Sequence, residues 1–395
     1  MSSFGELIAP AQLSEFFRDV VGKTYRVFEP GRNVTSKLLS WNLLQTALET
    51  SSYSGERSIF LAKAGESSFR KPIDLDHVSD ETGLVDTTGI YNDVRAGSTL
   101  IFNNIHQHLP MLSRLGADMR RHLAEMPSFN CYASIRPEPG LGLHWDDHDV
   151  IAIQAEGRKF WQLYQPMKNR PFKHQSKEPV PTKADLLWEG YLEAGQCLYV
   201  PRGMWHSVLS TGLPSLHITC GFFGITLQNI VSFLMQHDTE IFGLTDTVFP
   251  EYMSDVEIRK FEQGAREKLD VLLSDGFLKQ FWINKKANLP HSSAHSAFDD
   301  PATLTELNAD TVVNSRMPEN PDLCRDGEAA FFVVNATEYD LPVDMFAVFD
   351  AIAKMPRKTV GQLRAVGERN GLKENHIDAF LMILHEQLLV EFVKV

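Results

Sequence analysis

The chain has 395 residues, 43% of them hydrophobic, which suits two or three domains and is long for a single core. Its 38 basic and 51 acidic residues leave a formal charge of −13, which argues against a protein built to grip nucleic acid and reads most simply as a solubility feature. Cys131, Cys197, Cys220 and Cys324 form no Cys-x-x-Cys pair, no run reaches the roughly 18 apolar residues of a membrane span, and MSSFGELIAPAQLSEFF has no basic stretch leading an apolar one, so disulfide, cysteine-zinc and membrane classes are set aside and a cytoplasmic protein is expected.

In chain order, residues 1 to about 125 mix short helical patterns such as AQLSEFFRDVV with extended runs such as RSIFLAKA. From Phe129 to about Gly224 the texture changes to NCYASIR, VIAIQ, KFWQLYQP, QCLYVP, HSVLS and LHITCGFF, short β-branched and aromatic runs broken by Pro and Gly, which predict an antiparallel barrel or sandwich. After Thr226 the pattern is helical: Ile258, Phe261, Ala265, Leu269 and Leu272 recur at helix-face spacing, a stripe that is more often core and otherwise a subunit interface. Residues 286 to about 328 read as linker or loosely packed loops. In the last stretch, DMFAVFDAIAKM, a helix capped by Thr359 in TVGQLRAVGERN, ENHIDAFLMILHEQ and the strand LLVEFVKV follow in the order of a winged helix. From Leu341 onward seven basic residues balance seven acidic ones, which favours protein contact or structural support over a DNA grip. No internal repeat is evident.

The densest chemistry lies in LGLHWDDHDV, Leu141 to Val150. On a strand, His144, Asp146 and His148 point one way and Asp147 and Asp149 the other. His144 and Asp146 can therefore converge on one ion, with His206 in YVPRGMWHSV, 62 residues after His144, as the third ligand brought in by a barrel. Two histidines and one carboxylate on one side of a metal leave positions open, the arrangement of non-haem Fe(II) oxygenases. His-x-Asp alone is common by chance; the downstream turn and histidine carry the reading. His148 sits about 13 Å from His144 at strand rise, too far to share the ion unless the strand ends, and a place at the substrate mouth stays open for it.

HWDDHDVIAIQAEGRKFWQLYQP followed by LEAGQCLYVPRGMWHSV resembles the core of the JmjC, cupin-type 2-oxoglutarate oxygenases, in particular the ribosomal-oxygenase branch. The resemblance is densest over about residues 128 to 224. It implies an α+β chain: a double-stranded β-helix (residues 1–225), a helical dimerisation segment with linker (226–330) and a C-terminal winged-helix-like domain (331–395). It further implies His144, Asp146 and His206 as iron ligands, Lys159 as the cation that holds the distal carboxylate of 2-oxoglutarate, and, less firmly, Asn130 and Thr219 in the same cosubstrate pocket. Fe(II) is then the cofactor and 2-oxoglutarate and O2 the cosubstrates.

Around that site, Arg158 would face away from Lys159 as a surface or loop group, while Trp161 shares its face and packs beside it. Asp147 and Asp149 read as partners for loops or barrel edges, His217 as a satisfied strand histidine, and His106 and His108 as ordinary polar contacts. The basic stretch at residues 166–183 (Lys168, Arg170, Lys173, Lys177, Lys183) is a solvated insertion or a contact for an acidic or RNA-associated partner. The leading expectation is a hydroxylase of an amino-acid side chain in a protein or peptide, working as a homodimer without nucleic acid or membrane. A tailoring hydroxylase of a biosynthetic peptide or carrier-bound amino acid is the runner-up, and a non-catalytic metal-binding cupin-like protein the alternative outside enzymes.

Overall fold

The β-branched and aromatic runs between Phe129 and Gly224 form strands. The computed structural model describes residues 3–51, 58–62, 71–72, 84–123, 125–137, 142–167, 180–237, 253–272, 281, 285, 307–315, 317, 322–326, 329–334, 337–354, 357–387 and 389–393. They fall into two units, residues 1–223 and 224–395.

In the first unit the strands, numbered in chain order, are β1 Arg26–Phe28, β2 Ile59–Ala62, β3 Lys71–Pro72, β4 Thr99–Phe102, β5 Ser128–Ser134, β6 Asp149–Glu156, β7 Arg158–Tyr164, β8 Leu186–Glu193, β9 Cys197–Val200, β10 Trp205–Ser210 and β11 Ser215–Phe222. One antiparallel sheet has the order β1-β9-β6-β11-β5-β4-β2-β3, and a second has the order β10-β7-β8. Alternation assigns the faces. Phe129, Cys131 and Ala133 of β5 join Ile151, Ile153, Tyr199 and Ile218 in a core shared with the amino-terminal helices through Phe4, Phe16, Leu38, Leu112 and Met119. Val150, Ala152, Leu198 and Val200 of the large sheet pack with Trp161, Leu163 and Leu192 of the small one, so the barrel interior lies between the two sheets. β6 is covered on both faces, which is why VIAIQA reads as an almost continuous apolar run. Each large apolar side chain fully buried this way contributes about 1.5–3 kcal/mol relative to exposure. This is the antiparallel barrel that the strand pattern predicts, in the double-stranded β-helix form that the family resemblance implies.

The turn from β6 to β7 depends on Gly157. Its φ is +64°, and a Cβ there would stand 2.1 Å from the Pro214 carbonyl oxygen. This turn sets which residues of β7 face inward: Lys159, Trp161 and Leu163 are buried, while Arg158, Phe160, Gln162 and Tyr164 are half-buried on the outer side. Arg158 lies 4.5 Å above the Tyr191 ring, an outward packing contact.

In the second unit, helices Leu227–His237 and Asp255–Leu272 precede strands β12 Val312–Ser315, β13 Asp322–Asp326, β14 Ala329–Val334, β15 Thr337–Leu341, β16 Arg357–Thr359 and β17 Val390–Val393. Helices Phe346–Lys354, Val360–Arg369 and Glu374–Glu386 pack through Val348, Phe349, Leu363, Ile377 and Leu381. Thr359 caps the second of these in a capping box with Gln362. Arg364 donates to both carboxylate oxygens of Asp378, at 2.9 and 2.7 Å, tying the second helix to the third. Among the described residues no helix is long and apolar enough to cross a membrane.

Two expectations change here. Val312–Ser315, read as linker, is the middle strand of the sheet β16-β12-β17. Four residues carry too little alternation to be seen locally, and pairing with residues 45 and 81 positions later (Val313 with Lys358, Val312 with Val393) defines them. Of the helical stripe, the three described side chains are not fully buried: Phe261 is 44% exposed, and Ile258 and Ala265 are half-buried. The side chains of Leu269 and Leu272 lie outside the described residues. So does most of the basic stretch, of which Lys183 alone among its basic residues is described, in a single turn at Lys183–Asp185.

Candidate active site

His144 and His206 meet as an isolated bridge between chain segments. The His144 N–H donates to the His206 carbonyl at 3.0 Å, and the His206 N–H to the His144 carbonyl at 2.7 Å. The Gly203 N–H donates to the Asp146 carbonyl at 2.9 Å, fastening the turn before β10 to the same loop. The side chains of His144, Asp146 and His206 converge, each offering a ligand atom within 4.8 Å of the others. His206 Nε2 stands 3.6 Å from Asp146 Oδ2. Two donors bonded at about 2.1 Å to one ion stand roughly 3 Å apart at right angles and about 4.2 Å apart when opposed, so this separation suits a shared ion.

Both rings are oriented by backbone. His144 Nδ1 lies 2.7 Å from the Gly142 carbonyl and His206 Nδ1 3.1 Å from the Met204 carbonyl. These carbonyls accept Nδ1–H and leave each Nε2 with a free lone pair, the second contact that typically fixes a metal-binding imidazole. Burial, reinforced by His144 and opposed by Asp146, pushes the His206 pKa down to about 4, so this imidazole is neutral near pH 7. Trp161 stacks on it with ring centroids 5.9 Å apart.

The triad opens into a cavity of about 470 Å³ that runs between the sheets. Lys159 lines it, 3% exposed, and among the described residues no carboxylate is paired with it. Burial pushes its pKa down to about 7. Asn130 and Thr219 are cross-strand neighbours on β5 and β11 and line the same cavity. Asn130 Oδ1 accepts the Asn104 N–H at 3.1 Å, which leaves its amide N–H groups for the cavity.

The JmjC domain pattern matches residues 104–230, a span that holds both this triad and Lys159. Residues 104–230 are a JmjC domain. The chain is 25% identical over 219 residues (55% of its length and 31% of the relative's) to the bifunctional lysine-specific demethylase and histidyl-hydroxylase NO66 of Drosophila persimilis. It is 36% identical over 107 residues (26% of its length and 18% of the relative's) to ribosomal oxygenase 1 of Gallus gallus. The matched region thus spans less than a third of these curated relatives. Among solved structures, E. coli YcfD matches with TM-score 0.56 and 17% identity, covering 97% of this chain and 98% of that one. A second structure of YcfD, described as a ribosomal oxygenase in complex with cobalt and 2-oxoglutarate, matches with TM-score 0.55 at 17% identity over the same shares. These likenesses extend the shared fold beyond the JmjC domain.

Within the JmjC domain several local expectations change. His144 to His148 are not a strand, since β6 begins at Asp149; the segment turns, so the 13 Å spacing does not apply. His148 accordingly lines the cavity beside the triad, 3.2 Å from Asp147 Oδ1 and with its ring 5.5 Å from that of Phe223. Asp147 lines the cavity too instead of pointing away. Asp149 does serve a loop: it accepts from the Tyr199 hydroxyl at 2.6 Å and the Arg202 N–H at 3.2 Å, bracing the turn that delivers His206. His217 is not a satisfied strand histidine, for its Nδ1 is buried without a partner among the described residues. His106 Nδ1 is likewise buried and unpartnered, its ring packed on Phe129, where a polar contact was expected.

The cavity also takes in Tyr132, Ser134, Ser210 and Trp205, which motif reading passed over. A parity signal exists: Asn130, Tyr132 and Ser134 share one face of β5, and Ser210 pairs with Lys159 across β10 and β7.

Proposed function

We propose that this protein is an Fe(II)- and 2-oxoglutarate-dependent hydroxylase of an amino-acid side chain in a protein or peptide. The observation that carries the reading is one cavity lined both by a two-histidine, one-carboxylate cluster and by a buried lysine that no described carboxylate pairs with. The donor set fits Fe(II): two imidazoles and a carboxylate oxygen on one side of an ion leave further positions for ligands. His144, Asp146 and His206 would hold the metal, which when bound supplies dioxygen activation coupled to oxidative decarboxylation of the 2-oxo acid.

The chain's own groups do the rest. Lys159 pairs with one carboxylate of 2-oxoglutarate and so directs the other end of the molecule toward the triad. The Asn130 amide and the Thr219 hydroxyl offer hydrogen bonds along its length. Trp161 backs His206, and Leu143, Trp145, Trp205 and Val208 give the cavity apolar walls that exclude water around the reacting side chain. The names of the relatives, a histidyl-hydroxylase and a ribosomal oxygenase, support a polypeptide substrate. The same reading includes a cytoplasmic location, a winged-helix role for the C-terminal helices and strands, and a homodimer formed through the helical segment, whose Phe261 and Val256 are exposed.

Iron titration and mass spectrometry test this together. Asp146→Ala, His144→Ala and His206→Ala are each expected to lose Fe(II) affinity and most turnover of 2-oxoglutarate, while His148→Ala keeps the metal. Wild-type protein with Fe(II), 2-oxoglutarate and oxygen is expected to add one oxygen atom to a discrete cell-derived peptide. Unchanged iron affinity in Asp146→Ala, or coupling only to free amino acids, refutes the reading.

A further inference from the structure

The inner part of the cavity is more basic and less satisfied than one lysine explains. His217, on β11, lines it with Lys159, and the charge of Lys159 adds to burial in holding this imidazole neutral. The carboxylates in the lining, Asp146 and Asp147, belong to the loop of the metal cluster. His217 is 3% exposed, and among the described residues its Nδ1 has no hydrogen-bond partner. The ring is held firmly all the same. It lies parallel to Tyr132, with centroids 4.8 Å apart and planes 7° apart, and Trp161 packs edge-on at 5.9 Å.

Buried polar groups are nearly always hydrogen-bonded, so an imidazole without a described partner on the wall of a polar cavity points to a ligand that completes it. A neutral imidazole carries one N–H, and an anion beside it selects the tautomer that donates. An ammonium and a directional N–H facing one space form a cradle for a carboxylate.

We propose that His217 is a second donor to the far carboxylate of the bound 2-oxo acid, acting beside Lys159, and so makes the cavity select 2-oxo diacids over 2-oxo monoacids. The inference rests on the reading of the cavity as a 2-oxoglutarate site and adds a specificity residue to it. Lys159 supplies charge without direction. His217 supplies direction, because its stack on Tyr132 leaves the ring little freedom to turn.

Calorimetric titration of the Zn(II)-loaded protein with 2-oxoglutarate and with 2-oxopentanoate, of equal chain length but lacking the far carboxylate, tests this. His217→Phe, which keeps an aromatic ring against Tyr132, is expected to bind 2-oxoglutarate roughly tenfold more weakly and 2-oxopentanoate unchanged. His217→Gln, which restores a side-chain N–H, is expected to recover part of the loss. Should His217→Phe not fold, His217→Leu is titrated in the same way. Wild-type affinity for 2-oxoglutarate in these variants overturns the proposal, and so does an equal loss for both acids, which marks a packing role. If wild type does not distinguish the two acids, the cosubstrate reading itself has failed, and the role of His217 falls with it.

Discussion

Lys159 is a residue whose chemistry departs from its sequence context. RKFW on a strand reads as an ordinary alternation of basic and aromatic groups, yet the inward placement of Lys159 pushes its pKa down to about 7. In the unfolded chain the same amine titrates near 10.4. The unfolded state therefore binds more protons between these values, and the native state gains stability as pH rises through that window. Thermal melts from pH 7 to 9 are expected to show the advantage of Lys159→Met over wild type shrinking. A carboxylate ligand reverses the preference by favouring the ammonium. Binding of 2-oxoglutarate is then expected to take up a proton above about pH 7, which calorimetry in buffers of different ionisation enthalpy detects. Lys159→Met is expected to weaken 2-oxoglutarate binding roughly a hundredfold while leaving metal affinity in place, the loss typical of a charge-assisted pair with one partner removed.

Among the elements, the β6–β7 turn decides how the interior is furnished. A one-residue slip in β7 would exchange Lys159, Trp161 and Leu163 for Arg158, Phe160 and Gln162 on the cavity face. Gly157 holds that register, and Gly157→Ala combines a positive φ with a Cβ 2.1 Å from the Pro214 oxygen. The expected destabilisation is about 2–4 kcal/mol, read from urea unfolding. Strand identity along β5, β6, β7 and β11 was legible because alternation against a buried core is a local pattern. The run from His144 to His148 misled for the opposite reason. It alternates like a strand but has few backbone partners there: His144 bridges to His206, and regular pairing starts at Asp149 with Phe222. The spacing of polar residues thus suggested convergence through a strand face, where the structure achieves it through a turn.

At the scale of the molecule, Phe261 and Val256 on Asp255–Leu272 are exposed and bear on the proposed dimer. Sedimentation at micromolar concentration is expected to show a dimer, and Phe261→Glu to shift it to monomer without lowering the melting temperature of the barrel. A monomeric wild type refutes the assembly. By itself the sequence determined the strand-rich centre, the helices that follow, the capped helix at Thr359 and the His-x-Asp…His pattern, because each is written in short-range periodicity or in the spacing of residue types, while Lys159 was singled out by the family resemblance. Tertiary structure alone decided that Val312–Ser315 is a central strand, that His148 and Asp147 stand at the cavity, and that Tyr132, Ser210 and His217 line its wall. The difference is physical. A side chain's propensity travels with its neighbours in the chain, but whether a polar atom is satisfied depends on what the fold packs against it, and for His217 the groups that decide this lie on strands far away in sequence.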